Sequence, residues 1–366
     1  MSNSSGAACR ACGARELDLV LDLGEMPAAD CFPDTDAPVS GDKRHRLAML
    51  LCRRCGLAQL DHDTTTVAEP RGLEPRALRD QAADAVARVA AAGRLRGRTA
   101  REFGSPHGGS WLPLLAARGF TEIRDRPADV VIDSFGMMHE PDQRAAAAAR
   151  AAATAPGGLL LLQFHSLRAI LAQRQWNALR HGHFAYYSLP ALRALLADAG
   201  LYLASAWEFD LYGGTVLVAA GPGRAPDGPD DRALRVLDAE SGLCAPNVLA
   251  PLQAAADEQT RALRAWLESE AALGHRVYAY GAASRAVALF ARAELHPGLL
   301  RGVADASPAK QGRRMPGTGI AIITPAELVA AHPDRVLLTL PDLLPEVQAD
   351  LPALGDTWVV EIPRPP

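Results

Sequence analysis

Two Cys-x-x-Cys pairs have the residue types and spacing that predict chemistry most specifically. They are Cys9 with Cys12 and Cys52 with Cys55. Four thiolates on two such knuckles satisfy the tetrahedral coordination of zinc and leave no coordination position open. A redox dithiol is the alternative, but redox pairs occur singly, at a helix start beside a βαβ unit. The spacing therefore predicts a structural zinc site.

A glycine-containing segment predicts a ligand loop between a strand and a helix. Glu102 lies in the predicted strand, and Gly104 and Gly108 follow it. In Rossmann-like sheets this arrangement brings backbone amides close to a nucleotide-like ligand. An acidic residue about 20 positions later then binds the ribose, and Asp125 is the candidate at a suitable distance. Only one helix and one short strand fit between Gly108 and Asp129, so we expect a shortened nucleotide-binding half.

Histidines concentrate in the middle of the chain. Five of the ten are His107, His139, His165, His181 and His183. A single histidine is usually a surface or core residue, but one at a strand end, such as His139, also suits a general base. His181 and His183 flank Gly182 beside aromatic residues, and no carboxylate or third histidine is spaced to complete a metal site. We therefore expect acid–base chemistry or substrate contact from this pair.

The last third of the chain holds a candidate phosphate site. Gly281 and Arg285 form a Gly-x-x-x-Arg segment at a predicted helix start, which suits a phosphate. Lys310 is a second candidate for phosphate contact. Asp305, at a predicted strand end, either binds a ribose hydroxyl or caps the following turn. The alternative for Gly281 is a turn, and for Arg285 a solvated position on the helix.

These residues require elements that bring them together. Residues 1–64 contain many turn formers, and a metal-stapled module fits them better than a packed core. A linking helix is predicted at 75–95. Strands then alternate with helices over 65–225, and a second alternating unit occupies 226–366, which predicts parallel sheets covered by helices. The segment GPGRAPDGPDD separates the two units. The predicted fold is α/β, with a small zinc-binding module followed by two Rossmann-like domains.

Composition excludes several function classes. The 366 residues carry 38 basic and 42 acidic side chains, a net charge of −4, so no strong field attracts nucleic acid or anionic lipid. No apolar stretch reaches the length needed to cross a bilayer, and the first residues lack the apolar segment of a signal peptide. We expect a cytoplasmic protein whose partners are small molecules, with no nucleic acid and no membrane.

Motifs along nearly the whole chain resemble the nucleotide-deoxysugar C-methyltransferases of actinobacterial antibiotic pathways. CRRCGLAQL is similar to the family's zinc module, REFGSPHGGSWL to its cofactor loop, and ADVVIDSFGMMHEPD to its A-D-V-I-x-A-x-x-V-x-x-H-x-x-D strand. RHGHFAYYS resembles Y-H-E-H-x-S-Y-F-S, and LYGGTVLV resembles H-G-G-S-L-R-V. The most specific match is VYAYGAASRAVALF with DASPAKQGRRMPGTGIAI.

The resemblance implies S-adenosylmethionine-dependent methyl transfer to a ring carbon beside the keto group of a nucleotide-linked deoxysugar, through base-assisted enolate formation. His181 or His183 would act as the base, with His139 assisting. The implied cofactor residues are Glu102, Gly104 and Gly108. The implied substrate residues are Tyr186, Tyr212, Gly281, Arg285 and Lys310.

The sequence departs from the family pattern at residues close to the chemistry. Arg180 and Gly182 replace the tyrosine and glutamate of Y-H-E-H, and Pro106 and His107 replace the Asn and Asp of the cofactor loop. A tyrosine expected near the start of the linking helix is absent. Two alternatives therefore stay open. One is another acid–base reaction, such as epimerisation, isomerisation or elimination, and the other is a non-catalytic binding protein. A shortened cofactor half predicts weakened cofactor affinity.

Overall fold

A computed structural model describes residues 7–65, 74–104, 108–223 and 228–362. The strands in these ranges are β1 (Leu17–Pro27), β2 (Arg44–Cys52), β3 (Ala58–Leu60), β4 (Thr99–Phe103), β5 (Thr121–Glu122), β6 (Ala128–Ser134), β7 (Thr154–His165), β8 (Ala185–Tyr186), β9 (Leu201–Phe209), β10 (Thr215–Pro222), β11 (Val277–Tyr280), β12 (Val303–Ala304), β13 (Ile322–Ile323), β14 (Arg335–Leu338) and β15 (Trp358–Val359).

The α-helices lie mostly between these strands. They are α1 (Arg76–Ala91), α2 (Leu112–Ala116), α3 (Gln143–Ala153), α4 (Leu167–Ala172), α5 (Leu189–Asp198), α6 (Asp231–Ala239), α7 (Pro246–Leu249), α8 (Pro251–Ala272), α9 (Ser284–Arg292), α10 (Pro325–Ala330) and α11 (Leu344–Asp350). No helix in the described ranges is long and apolar enough to cross a membrane.

The N-terminal sheet is antiparallel, in the order β1-β2-β3-β8. Its last strand, β8, comes from the middle of the chain. It pairs with β3 through Ala58 opposite Tyr186 and Gln59 opposite Ala185. The sheet also has a packed core, contrary to the expectation for residues 1–64. Leu21 and Leu47 are buried in one cluster with Leu252 of α8. Two long alternating strands supply this apolar face in addition to the cysteine knuckles.

The middle sheet has the order β5-β4-β6-β7-β10-β9. Its first four strands are parallel, as the strand–helix alternation predicts, whereas β10 is antiparallel to both neighbours. The short connection between β9 and β10 leaves room only for a hairpin. Helix α1 buries Ala82, Val86 and Val89 against one face of the sheet, so it covers this sheet as well as linking two modules. The predicted α/β class is confirmed.

The nucleotide-binding half of the middle sheet is short, as predicted. Between Gly108 and Ala128 the chain forms only α2, of five residues, and β5, of two residues. The carboxyl ends of β4 and β6 are adjacent, and the loops after them nearly touch. A Cβ on Gly136 would lie 2.9 Å from the carbonyl oxygen of Gly104. Only glycine allows so close an approach.

The C-terminal sheet is parallel, in the order β13-β12-β11-β14-β15. Its apolar strands pack against α8 and α9, where Val277, Val303 and Phe290 are buried together. Strand β13 was not predicted, because its two residues pair only with the equally short β12. The carboxyl ends of β11 and β12 face the middle sheet across a cleft.

Candidate functional site

The four predicted zinc ligands form one cluster. Their sulfur atoms all lie within 4.8 Å of one another, and the Cys9–Cys55 and Cys12–Cys52 pairs are separated by 3.5 and 3.6 Å. Zn–S bonds of 2.3 Å in a tetrahedron place sulfurs about 3.8 Å apart, so the donor set fits zinc. Hydrogen bonds from the Cys55 thiol and from backbone amides lower the pKa of Cys9 to about 5, which supplies a thiolate for the metal.

The zinc cluster supports the His-x-His segment at a distance. Strand β3 follows the second knuckle directly and pairs with β8, and β8 follows the segment 180–183. Gln59 on β3 also accepts a hydrogen bond from the backbone amide of Arg10 at 2.9 Å, which ties the first knuckle to the same strand. The metal-stapled module therefore positions the polar segment that borders the cleft.

A cavity of about 510 Å³ lies between the middle and C-terminal sheets. This volume is in the range of roughly 300–1,000 Å³ that is typical of small-molecule sites. The middle domain contributes Phe135, Met138, His165 and Tyr212 to its lining. The segment 180–183 contributes Arg180 and His183. The C-terminal domain contributes Gly281, Ser284, Arg285, Asp305 and Lys310. We call this cavity the interdomain cleft.

The glycine loop after β4 is braced by Glu102. Its carboxylate accepts hydrogen bonds from the backbone amide of Trp111, at 2.7 Å, and from the hydroxyl of Ser110. Burial raises the pKa of Glu102. Gly108 and Gly109 adopt positive φ angles of 79° and 75°, in the region that glycine favours. The predicted residues His107 and Pro106 of this loop lie outside the described residues.

The loop after β6 is held by a buried ion pair. The Asp133 carboxylate accepts from the amides of Gly136 and Met137, at 2.7 and 3.0 Å, and pairs with Arg150 of α3 at 2.7 Å. Burial raises the pKa of Asp133. This network fixes the turn at Phe135, whose φ is 61°, at the mouth of the interdomain cleft.

The predicted catalytic histidines occupy different positions. His183 lines the cleft, and its Nε2 accepts from the Arg180 guanidinium, whose Nε lies 2.8 Å away. The His139 ring contacts the His183 ring edge-on, with centroids 4.3 Å apart. His181 instead lies on the side of the N-terminal sheet, where its ring centroid is 5.8 Å from that of His45. Burial lowers the pKa of His181.

The predicted substrate tyrosines also separate. Tyr186 is buried within β8, and its hydroxyl accepts from the Arg180 amide at 3.0 Å. It therefore stabilises the backbone of the segment 180–183. Tyr212 lines the cleft and lies under the Arg285 guanidinium, 5.9 Å from ring centroid to Cζ. Its backbone φ is 58°, and burial raises its pKa to about 12.

The C-terminal edge of the cleft combines cations with a braced turn. Burial and the nearby Arg180 lower the pKa of Arg285. Lys310 Nζ donates to the Ala282 carbonyl at 2.8 Å and lies 3.9 Å from Asp305. Asp305 accepts from the amides of Ala282 and Ser307, both at 2.8 Å. These two bonds favour the turn-capping alternative for Asp305.

Gly281 is required by packing at the end of β11. A Cβ on this residue would lie 2.5 Å from the Thr339 hydroxyl, and its φ is 95°. The glycine thus allows the tight turn between β11 and α9, just before Arg285. It also lines the cleft.

Two residues of the cleft were missed as site candidates. Arg180 was noted only as a departure from a motif, although an arginine directly before His-x-His is itself a signal for anion contact. Glu74 gave no signal, because its approach to Gly109 depends on tertiary packing. A Cβ on Gly109 would overlap the Glu74 carboxylate.

The carboxyl edge of the middle sheet offers groups that fit S-adenosylmethionine in part. Gly104, Gly108 and Gly109 carry backbone amides at this edge. Glu122 is the last residue of β5. In Rossmann-like sheets the ribose-binding carboxylate lies at the end of the corresponding strand. The Glu122 side chain is exposed and pairs with Arg124 at 2.6 Å. Asp125, the predicted ribose ligand, is also exposed.

Three family models match the chain, in the order that the sequence motifs predict. A "zinc binding domain" matches residues 9–67, a "Methyltransferase domain" matches 121–206, and a "C-methyltransferase C-terminal domain" matches 210–363. The predicted resemblance to C-methyltransferases and the predicted zinc module are confirmed. Because two of the three descriptions name a methyltransferase, the matches favour methyl transfer over the other reactions considered above.

The chain is also similar to characterised relatives and solved structures. It is 25% identical to the C-methyltransferase NovU from Streptomyces niveus, over 98% of this chain and 96% of that protein. An O-methyltransferase family protein from Burkholderia thailandensis is 18% identical, with a TM-score of 0.29, over 40% of this chain and 60% of that one. Magnesium protoporphyrin IX methyltransferase from Synechocystis is 16% identical, with a TM-score of 0.30, over 41% and 89% of the two chains.

Proposed function

We propose that this protein transfers a methyl group from S-adenosylmethionine to a ring carbon beside the keto group of a nucleotide-linked deoxysugar. The observation that carries the proposal is the interdomain cleft. It borders the methyltransferase-like sheet through Phe135 and Met138, and it places Arg285 and Lys310 on the opposite side. A nucleotide sugar has an anionic diphosphate and a neutral sugar, and the cleft provides one region for each.

The diphosphate is assigned to the C-terminal edge. Arg285 lies at the first turn of α9, where backbone amides and the helix dipole favour an anion. It makes no ion pair within the described ranges of the chain, so its charge is available to a ligand. Lys310 adds a second cation on the same edge. Charge-assisted hydrogen bonds from such groups are among the strongest in binding sites.

The keto end of the sugar is assigned to Arg180 and His183. Removing a proton beside a ketone places negative charge on the carbonyl oxygen, and a positioned cation stabilises that charge. Arg180 is buried, lines the cleft, and has its guanidinium 3.8 Å from the Asp30 carboxylate. His183 orients this guanidinium through Nε2, and His139 packs against His183. We therefore assign the two histidines to positioning Arg180.

Cofactor contact is assigned to the carboxyl edge of the middle sheet. The backbone of Gly104, Gly108 and Gly109 would hold S-adenosylmethionine, with Glu102 bracing the loop and Glu122 or Asp125 at the ribose. When bound there, S-adenosylmethionine supplies an electrophilic methyl group. Phe135 and Met138 then exclude water between the two ligands.

The test is a transfer assay with a thymidine-diphosphate-linked keto-deoxyhexose and S-adenosylmethionine whose methyl group is isotopically labelled. We expect the label in the sugar nucleotide, with one S-adenosylhomocysteine formed per methylated sugar. A control without cofactor should give no methylated product. Loss of sugar-nucleotide stereochemistry, or elimination without label transfer, would overturn the proposal in favour of another acid–base reaction.

A further inference from the structure

Glu74 is a carboxylate of the interdomain cleft with no assigned role. It lies just before α1, and its side chain packs directly over Gly109 of the glycine loop. It also lines the cleft near Tyr212. The carboxylate therefore lies where the glycine loop and the cleft meet, which is the place at which a methyl donor and a methyl acceptor would approach each other.

Two of the other three carboxylates that line the cleft accept backbone amides, and the third makes a long, exposed ion pair. Asp305 accepts two backbone amides, as described above. Glu346 accepts from the amides of Arg76 and Ala77, at 3.0 and 3.1 Å, and Asp350 lies 3.9 Å from the Arg76 guanidinium. Glu74, by contrast, makes no hydrogen bond or ion pair within the described ranges. Its oxygens are available to a ligand.

Glu74 is also held in place by its neighbours. Glu346 caps the first turn of α1, so it ties the residues immediately after Glu74 to the C-terminal domain. Pro75 precedes that turn with φ −61° and ψ 150°, which limits the backbone. The carboxylate is thus presented by a fixed backbone between two domains, as precise proton transfer requires.

The polar segment assigned to the keto end is not suited to accept a proton from the sugar. The segment from Arg180 to His183 contains no carboxylate, and Nε2 of His183 already accepts from the Arg180 guanidinium. Arg180 itself carries a permanent charge and cannot act as a base. Stabilisation of the enolate and removal of the proton therefore fall to different side chains.

We infer that Glu74 is the catalytic base that removes the proton from the carbon beside the keto group. The inference rests on the function proposed above. The Glu74 carboxylate takes the proton, the C–H electron pair becomes a C=C bond, and the carbonyl electron pair moves to an oxygen beside Arg180. The C=C electron pair of the enolate then bonds to the methyl carbon of S-adenosylmethionine, and the oxygen electron pair re-forms the carbonyl. The methyl–sulfur electron pair goes to sulfur, and S-adenosylhomocysteine leaves. Protonated Glu74 finally releases its proton to water.

The surroundings of Glu74 favour this role. Burial raises its pKa, the nearby Arg79 opposes this, and the nearby Glu102 adds to it. Burial raises the pKa of Tyr212, in the turn before β10, and the nearby Glu74 adds to this shift. A carboxylate with a raised pKa is a stronger base near neutral pH than an ordinary glutamate. Because the base must be deprotonated, the rate should fall on the acid side of the pH profile.

The experiment compares Glu74→Gln with wild type in two assays. We expect methyl transfer and solvent-deuterium exchange beside the keto group to fall by about 10²- to 10⁴-fold, the usual contribution of a general base. The fall should be in kcat, while the Kd of thymidine diphosphate stays within about twofold of wild type. Glu74→Asp should restore part of the rate and the acid limb of the pH profile. Asp84→Asn, an exposed carboxylate on α1 that pairs with Arg88, is the matched control and should keep the wild-type rate.

The outcomes separate the two proposals. If wild type transfers no methyl group, the proposed function fails. If wild type transfers the methyl group and Glu74→Gln transfers it equally fast with an unchanged pH profile, only the role of Glu74 is overturned. A rise in KM with unchanged kcat would also overturn it, because that result indicates binding rather than proton transfer.

Discussion

The two edges of the interdomain cleft present different charged side chains to a ligand. At the glycine loop Glu74 makes no ion pair within the described ranges, whereas at the C-terminal edge Arg285 makes none and Lys310 lies beside Asp305. Glu74 can attract a cationic ligand to its side of the cleft, and Arg285 an anionic ligand to the other. This difference suits the two proposed ligands, because a sulfonium is positive and a diphosphate is negative.

The edges also differ in how they are built. The middle-sheet edge depends on buried ionic and hydrogen-bond networks, such as that of Asp133 with Arg150. The C-terminal edge depends on backbone geometry, with Gly281 and Asp305 shaping the turn, and it leaves Arg285 without an ion-pair partner in the described ranges. Damage to the first edge should therefore cost stability, whereas damage to the second should cost affinity.

The largest effect is expected from loss of zinc, which should loosen both edges of the cleft. Structural zinc binding contributes about 10 kcal/mol or more, and the zinc module holds β8, which follows Arg180 in the chain. Cys52→Ser should retain much less than one zinc per chain and have a clearly lower Tm. Metal analysis and thermal unfolding measure both quantities.

The control for zinc loss is Cys31→Ser, since Cys31 is exposed and lies outside the cluster. This variant should keep one zinc per chain and the wild-type Tm. Wild-type zinc content in Cys52→Ser would contradict the assigned ligand set.

The next largest effect is expected for Arg150→Ala, which attacks the middle-sheet edge alone. Removing this side chain leaves Asp133 buried without its partner, which costs about 3–5 kcal/mol of unfolding free energy. Urea denaturation measures the loss. Affinity for S-adenosylhomocysteine should fall more than affinity for thymidine diphosphate, because the loop with Gly136 lies on the cofactor side.

Two further variants test the Arg150 mechanism. Arg144→Ala removes an exposed arginine from the same helix and should change stability by less than about 0.5 kcal/mol. Asp133→Asn combined with Arg150→Ala should recover part of the stability. A double variant as unstable as Arg150→Ala alone would show that the unpaired charge is not the cause.

Much of this fold was predictable because its strands are apolar runs separated by turn signals. The apolar runs that form β4, β6, β7 and β11 predicted strands. The two Cys-x-x-Cys pairs predicted the four-cysteine cluster. Prediction was weaker where elements are very short, as for β13, and where distant segments meet, as for β8 beside β3. Those pairings arise from tertiary packing, which leaves no periodic signal in the sequence.

The candidate site was predictable only in part, for a related reason. Motif spacing indicated His183, Tyr212 and Arg285, which all line the cleft. It gave no way to separate His181 from His183, because residues two apart on an extended segment share a face. The two side chains separate because the chain turns at Gly182, whose φ is 81°. Glu74 was missed because its contact with Gly109 joins two loops that carry no motif together.

A smaller effect is expected for Arg285→Ala, which attacks the C-terminal edge alone. A hydrogen bond to a charged group contributes about 1.5–3 kcal/mol, so the Kd of thymidine diphosphate should rise by about 10- to 150-fold. Stability should change little, because Arg285 makes no ion pair within the described ranges. Titration calorimetry at two salt concentrations measures the affinity.

The matched control for Arg285 is Arg301→Ala, an exposed arginine of the same domain. Its affinity for thymidine diphosphate should equal that of wild type. If Arg285→Ala binds thymidine diphosphate with wild-type affinity, the diphosphate does not bind at this edge, and the proposed placement of the two ligands by charge is wrong.

The smallest effect on sugar-nucleotide binding is expected for Gly109→Ala, which alters the point where the two edges meet. Alanine at a φ of 75° costs about 1 kcal/mol, and its Cβ would displace the Glu74 carboxylate. Gly93→Ala is the matched control, because Gly93 has a φ of 67° and no atom within 4 Å of the added Cβ. Both variants should lose similar unfolding free energy, but only Gly109→Ala should lose methyl transfer while keeping its affinity for thymidine diphosphate. If both variants keep the wild-type rate, the position of Glu74 over Gly109 does not matter for catalysis.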